Sequence, residues 1–429
     1  MKNNKLKDFY LLWSSQALSQ LGSSVTGFAL TLWVYQKTGS ALQTALLTIC
    51  SYTPYVLMSI FAGALSDKWN KKKTMLLCDL TAAIGTIVVL VLIKTDLLQG
   101  WHLYLINALT GLMNTIQGPA SEVAITLVTP KEYYQKASSL KSFSRSLVSI
   151  MHPMIATALY ALGGMDLPIA FDLITFLFAF IVLLVFIQIP ENELEQNKEN
   201  DSLLDSVKQG IECLKDNKVV LYLILFLAAV NLVASMFDAC LPAYILPHKN
   251  GGEQALGYVN STAGIAMLLG SLAVTILPAP KDRVKVILLT MLFSLTSDNF
   301  LISLADKPWL WCLAQLCGYF PVTIMSTNLE IIIRSTIPVN MQGRVYACRN
   351  TLQFFTIPVG YYLGGWLVDE IFEPYMSSLP ENHLFIRLFG SGKGSGAAML
   401  LFVLGIIGAL ICIYFWNILS KYHYSEKNT

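Results

Sequence analysis

Charge is scarce in this chain. Only 13% of its 429 residues are Asp, Glu, Lys or Arg, against 55% hydrophobic. That excludes an ordinary water-soluble globular protein, in which about a quarter of residues are charged. A net charge of +2 gives no sign of a nucleic-acid partner. The five histidines stand singly and the eight cysteines include no C-x-x-C pair. No metal, cofactor or disulfide framework is therefore expected, and cysteines within apolar runs read as small buried residues. There is no repeated filter sequence to suggest a channel. Nor is there a D-x-x-D or H-x-x-x-x-D cluster of the kind that marks a membrane enzyme. A cleavable signal pattern is also missing. The first apolar run follows Lys2, Lys5 and Lys7 and is long, so it reads as a retained first span with the N-terminus inside.

Long apolar runs fill the space that charge leaves. Twelve are long enough to cross a bilayer, where about 20 apolar residues suffice: 9–35, 41–65, 74–93, 102–128, 139–162, 169–189, 219–245, 256–276, 284–304, 310–333, 347–368 and 397–418. An even number puts the C-terminus on the same side as the N-terminus. On this topology 23 of the 29 Lys and Arg fall inside. Only Lys37, Lys94, Lys249, Lys307, Arg387 and Lys393 lie in outer loops, as the positive-inside rule requires.

The longest inner loop, 190–218, starts acidic and turns amphipathic, with apolar residues at 203, 204, 207, 211 and 214. That spacing predicts a helix lying at the membrane interface. The loop splits the chain into a six-span bundle (1–190), a cytoplasmic linker (191–218) and a second six-span bundle (219–429). A faint repeat supports the split: P-K-E-Y-Y-Q-K-A from Pro130 aligns with P-V-N-M-Q-G-R-V from Pro338, and Gly63 falls beside Gly270. The outer segment 369–396 is about 28 residues long. Its G-S-G-K-G-S-G run lacks phosphate-loop spacing and reads as a flexible lead-in to the last span.

The turn between the second and third spans reads G-A-L-S-D-K-W-N-K-K-K, from Gly63 to Lys73. Gly63 permits close helix approach. Asp67 sits where a helix C-terminus disfavours a carboxylate and so calls for an outside partner. Asn70 tolerates a left-handed turn, and Lys71, Lys72 and Lys73 meet the anionic inner leaflet. This stretch resembles the G-x-x-x-D-R/K-x-G-R-R/K-x signature of major facilitator superfamily transporters, with Asn70 in place of the second glycine and Lys71 in place of the arginine.

Further stretches resemble the macrolide-efflux-like drug:proton antiporter branch of that family. They are Lys37–Ala41 (K-T-G-S-A), Pro54-Tyr55, Asp79, Gly118-Pro119-Ala120, Gly343-Arg344-Val345 and Val368–Met376 (V-D-E-I-F-E-P-Y-M). The resemblance implies an all-α integral membrane fold of twelve helices in two pseudo-symmetric bundles of six. It also implies export of amphipathic compounds in exchange for protons from the bacterial cytoplasmic membrane. One feature departs from the branch: many drug:proton antiporters carry an arginine in the middle of the fourth helix, where this chain has Asn107 and Ala108.

Ionisable residues inside a span are functional candidates by default. Asp238, in the seventh span, is the first candidate for a proton or a cationic substrate, the alternative being a solvated residue near the outer end. Glu330 lies four residues before Arg334, the spacing of a helix ion pair. Glu122 and Glu330 are further candidates for proton coupling or substrate charge; the cytoplasmic gating motif is Gly63, Asp67, Lys68, Lys71, Lys72 and Arg344, which Glu122 joins by resemblance. Asp172 and Asp298 fall on helices expected outside the cavity and read as structural. Gln16, Gln20, Asn107, Asn114, Gln117, Asn231, Tyr319, Asn328 and Gln353 supply either cavity contacts or interhelical hydrogen bonds. Pro153 and Pro358 are expected bend points. The expected partners are an amphipathic small molecule, protons and the lipid bilayer, with the chain acting as a monomer powered by the proton gradient. A dedicated carrier of one metabolite, siderophore or peptide is the alternative, and a polytopic membrane enzyme the more distant one.

Overall fold

The computed structural model describes residues 2–130, 133–189 and 203–421. Among these residues the regular structure is entirely helical. All twelve expected spans fall in helices: α1 (Lys2–Thr38), α2 (Ala41–Lys68), α3 (Lys71–Lys94), α4 (Gly100–Val128), α5 (Tyr134–Gly163) and α6 (Asp166–Ile181), then, past a short α7 (Leu203–Asp216), α8 (Lys218–Ile245), α9 (Glu253–Ile276), α10 (Arg283–Leu304), α11 (Pro308–Thr336), the pair α12 (Val339–Phe354) and α13 (Thr356–Leu367), and finally, beyond α14 (Glu373–Ser378) and α15 (Leu384–Phe389), α16 (Ser395–Leu419). Among the described residues, eight of these helices are long and apolar enough to cross a membrane. α1, α2, α4 and the α12–α13 pair are not among the eight, and in α1 and α4 the polar residues that dilute the apolar run line a cavity.

The side chains face outward as lipid demands. On α3, Leu77, Ile84 and Val91 are more than half exposed, while Asp79 on the other face is buried. A helix with its apolar stripe outside and a carboxylate inside inverts the water-soluble pattern.

The chain forms two compact units. Unit 1 holds residues up to 37 and 50–199, and unit 2 holds 38–49 and everything from 200 on. In unit 1, Phe9, Leu12, Met75, Ala120, Ala124 and Leu183 form one core, which ties α1, α3 and α4 to the wider π-helical turn Val182–Phe186 that ends α6. In unit 2, α8 is the central element, packed on α13 and α16 and buried along most of its length.

Local chemistry explains the element ends. Asn70 does not take the left-handed conformation. Its φ is −62°, and its side chain accepts the Lys73 N–H at 3.0 Å, an ordinary N-cap for α3. The eleventh span breaks at Phe355, three residues before Pro358, whose missing N–H leaves the Phe354 carbonyl without its helical donor. The helix expected at the membrane interface is α7, and it docks on protein: Leu214 is fully buried and α7 packs against α12. The outer segment is built rather than a flexible lead-in. α14 and α15 occupy it, and Gly390, Gly392 and Gly394 take φ of 83°, 89° and 98°, values that favour glycine. The Glu373 carboxylate then accepts the amides of Gly394 (2.8 Å) and Ala397 (3.4 Å), capping α16. Burial pushes Glu373 above the usual carboxylate range, against the pull of these amides.

Candidate functional site

Unit 1 lines an open polar pocket of about 590 Å³. α1 supplies Trp13, Gln16, Gln20, Ser23 and Gly27, and α4 supplies Asn107, Thr110, Asn114, Gln117 and Ser121. Each set steps by three and four residues, so each is one continuous helix face. Two carboxylates border the same space. Asp79 on α3 accepts from the Gln117 amide at 2.6 Å and the Gln16 amide at 3.5 Å. Asp172 on α6 accepts from the Ser23 hydroxyl at 3.0 Å and the Thr86 hydroxyl at 3.1 Å. The two levels are seven residues apart on both α1 and α3. The carboxylates therefore stand about 10 Å apart along the helix axes. Lys141 on α5 also lines the cavity and is ion-paired with Glu122.

Unit 2 carries a different cluster. The partly buried Asp238 on α8 accepts from the Tyr319 hydroxyl of α11 at 3.1 Å and from the Tyr361 hydroxyl of α13 at 3.4 Å. A solvated position is thus excluded. The nearby Asp298 on α10 is buried, and its Oδ1 has no partner among the described residues.

The remaining candidates divide plainly. Gln16, Gln20, Asn107, Asn114 and Gln117 come together at the unit 1 cavity. Asn231 instead donates to the Gln353 carbonyl at 3.0 Å, the Gln353 side chain accepts from Arg349, and Asn328 accepts from Arg283 at 3.0 Å. Asn231 and Asn328 thus hold helices together, whereas the Gln353 side chain stays on its own helix. Glu330 makes the expected pair with Arg334 at 2.8 Å and adds Tyr346 (2.5 Å) and Arg349 (3.4 Å), which join α11 to α12. Arg344 donates to Gln209 of α7. Lys72 donates to the Leu184 and Ile187 carbonyls at 2.9 and 2.7 Å, closing the end of α6. Lys71 opens α3. The side chains of residues 59–68, including Gly63, Asp67 and Lys68, lie outside the described residues.

The sequence profile of the Major Facilitator Superfamily matches residues 12–361. The chain belongs to the major facilitator superfamily. Macrolide efflux protein A of Streptococcus pyogenes is 24% identical over 373 residues, covering 86% of this chain and 91% of that protein. The multidrug efflux pump Tap of Mycolicibacterium fortuitum is 23% identical over 385 residues, again 86% and 91%. Among solved structures, an inward-facing, occupied bacterial homolog of the human lysosomal transporter Spinster superposes with a TM-score of 0.72 at 13% identity, over 98% of both chains. A bacterial homologue of ferroportin reaches 0.68 at 15%. These structures establish the fold alone.

As a major facilitator the chain is a membrane transporter, and Asp79, Asp172 and Asp238 are carboxylates held by neutral hydrogen-bond donors within its spans. Sequence reasoning selected Asp238 but passed over Asp79 and read Asp172 as structural. Both were detectable as acids inside apolar spans. What the sequence does not display is that Gln16 and Gln117, 101 positions apart, converge on Asp79.

Proposed function

We propose that the protein is a secondary active exporter of amphipathic or hydrophobic small molecules. It exchanges them for protons by alternating access of two six-span halves, 1–190 and 219–429, joined by the linker 191–218. On this reading it works as a monomer in the bacterial cytoplasmic membrane with both termini inside. The gradient is its energy source, and no cofactor is needed.

The observation that carries the reading is the environment of Asp238. Among the described residues its hydrogen-bond partners are two tyrosine hydroxyls and not a basic side chain. Hydroxyls can donate to the ionised carboxylate and accept from the protonated one. Such a group can load and release a proton without losing its neighbours. Similarity to macrolide and multidrug efflux proteins over most of the chain supports the substrate class and the outward direction.

Cells expressing the protein, loaded with a panel of fluorescent and antibiotic compounds, test this directly. Protonophore-sensitive efflux of at least one amphipathic compound is expected. Efflux that persists undiminished with the proton gradient collapsed contradicts it.

A further inference from the structure

The segment between the last two spans carries large apolar side chains that the rest of the described residues leave exposed. α15 reads L-F-I-R-L-F, all apolar but for Arg387, which is the composition of a helix that water does not surround. Its ends are defined. The His383 ring accepts the Phe385 N–H at 3.3 Å at the start, and Gly390 ends the helix with a φ of 83°. Only one side of it is covered by protein. Phe389 is buried, whereas Leu384 and Leu388, one turn apart on the same face, are 63% and 47% exposed. Tyr375 of α14, with its ring 6.4 Å from that of Phe385, and Ile371 extend the exposed patch.

The depth of α15 decides what meets that patch. A chain of rings ties the helix to the spans: the Phe389 ring lies 5.5 Å from that of Phe402 on α16, which lies 4.9 Å from that of Phe300 on α10. Phe402 is well inside α16, which starts at Ser395, and Phe300 is about one turn before Leu304, where α10 ends. α15 packs on both helices. It therefore lies beside the walls of two membrane-spanning helices and not above them in an aqueous loop. At the same ends, Leu304 of α10 and Trp309 of α11 are also exposed, and Trp and Tyr are enriched where hydrocarbon meets headgroups. The patch is continuous with the surface that lipid already covers.

We propose that α15 is an interfacial helix seated in the bilayer leaflet at this end of the protein, with Leu384 and Leu388 against phospholipid acyl chains. Arg387 is exposed and stands on the same side as the two leucines. Its long apolar stem lets the guanidinium rise to the phosphates while the leucines stay in hydrocarbon. An amphipathic helix in the plane of the interface has this division of faces. With both termini inside, the leaflet is the outer one. The lipid contact itself depends on neither that orientation nor the export reading.

Photochemical crosslinking tests it. The full-length protein with Leu384→p-benzoylphenylalanine is reconstituted in vesicles of phosphatidylethanolamine and phosphatidylglycerol and illuminated, and its intact mass is read. The benzophenone bonds to the C–H group that lies against it, so the mass of the product identifies the occupant. Leu77→p-benzoylphenylalanine, on the exposed face of α3, is the lipid-facing reference. Lys249→p-benzoylphenylalanine, in the exposed turn between α8 and α9, is the water-facing one.

A mass gain of one phospholipid is expected at Leu384 and at Leu77, with little at Lys249. A product with the mass of two chains would make the patch a self-association surface and overturn the proposal. A Leu384 variant left unmodified under illumination that modifies the Leu77 variant overturns it too, because water then covers the patch. So does a lipid yield at Leu384 no higher than at Lys249, which would show the probe seeking lipid by itself. Leu388→p-benzoylphenylalanine carries the test with the same outcomes if the Leu384 variant does not purify as a folded protein.

Discussion

Asp369 and Leu42 are 327 residues apart in the chain, yet the Leu42 amide donates to Asp369 Oδ2 at 2.9 Å. The Ala41 amide donates to Oδ1 at 3.0 Å and the Ser40 hydroxyl to Oδ2 at 2.6 Å. A carboxylate from the end of the eleventh span thus caps the N-terminus of α2, where the helix dipole favours negative charge. The stretches K-T-G-S-A and V-D-E-I-F-E-P-Y-M, unrelated in the linear chain, meet here. Asp369→Ala is expected to lower stability by about 1–2 kcal/mol, and Asp369→Asn by less, since an amide oxygen still accepts. Thermal unfolding in detergent measures both.

Gly365 lies against the same turn. A Cβ there would stand 2.6 Å from Leu42 Cα and 2.8 Å from Leu42 N, backbone atoms that cannot move aside. Gly365→Ala should cost about 1–3 kcal/mol through overpacking. Gly118→Ala, which points into open space, should not lower the melting temperature. A comparison of the two melting curves isolates the steric effect from the shared loss of glycine.

The Glu330 cluster makes two arginines unequal. The Arg349 side chain is 16% exposed and the Arg334 side chain 69% exposed, although both pair with Glu330. Arg349→Ala removes the less exposed partner but leaves Glu330, itself about a third exposed, with Arg334 and Tyr346, so it is expected to cost about 1–2 kcal/mol, chiefly as a lost partly buried charged hydrogen bond. Arg334→Ala should cost less than about 1 kcal/mol, with a salt dependence that Arg349→Ala lacks. Chemical denaturation at low and high ionic strength separates them.

The Lys141–Glu122 pair should also couple weakly. The Glu122 side chain is 56% exposed, and exposed ion pairs are worth less than about 1 kcal/mol. A double-mutant cycle of Lys141→Met and Glu122→Gln, read by thermal unfolding, should return a coupling below that figure.

The span pattern was legible because lipid imposes a rule that each stretch obeys alone, that of apolar length. The cavity was half legible. Gln16 and Gln20 on one span and Asn114 and Gln117 on another stand out as amides in apolar runs, and the fold gathers them. Asn231, Asn328 and Gln353 give the same signal in sequence but bond to neighbouring helices or to their own, because helix rotation decides which face meets the cavity and no local rule fixes rotation. Asn70 shows a similar limit. Its side chain suits both a left-handed turn and an N-cap, and the helix starting at Lys71 selects the cap. The glycine run before α16 read as loose because its order comes from Glu373, 21 residues before the amide it accepts.

The most direct test of the account is accumulation of an exported compound in inside-out proteoliposomes under an imposed pH gradient, for the wild type and Asp238→Asn. The wild type is expected to concentrate the compound only while the interior is acidic. Asp238→Asn is expected to lose that uphill accumulation yet still exchange the compound down its own gradient, since the site binds but no longer carries the proton. Gradient-driven accumulation that survives in Asp238→Asn would contradict the role given to this carboxylate. A wild type indifferent to the gradient would contradict proton antiport itself.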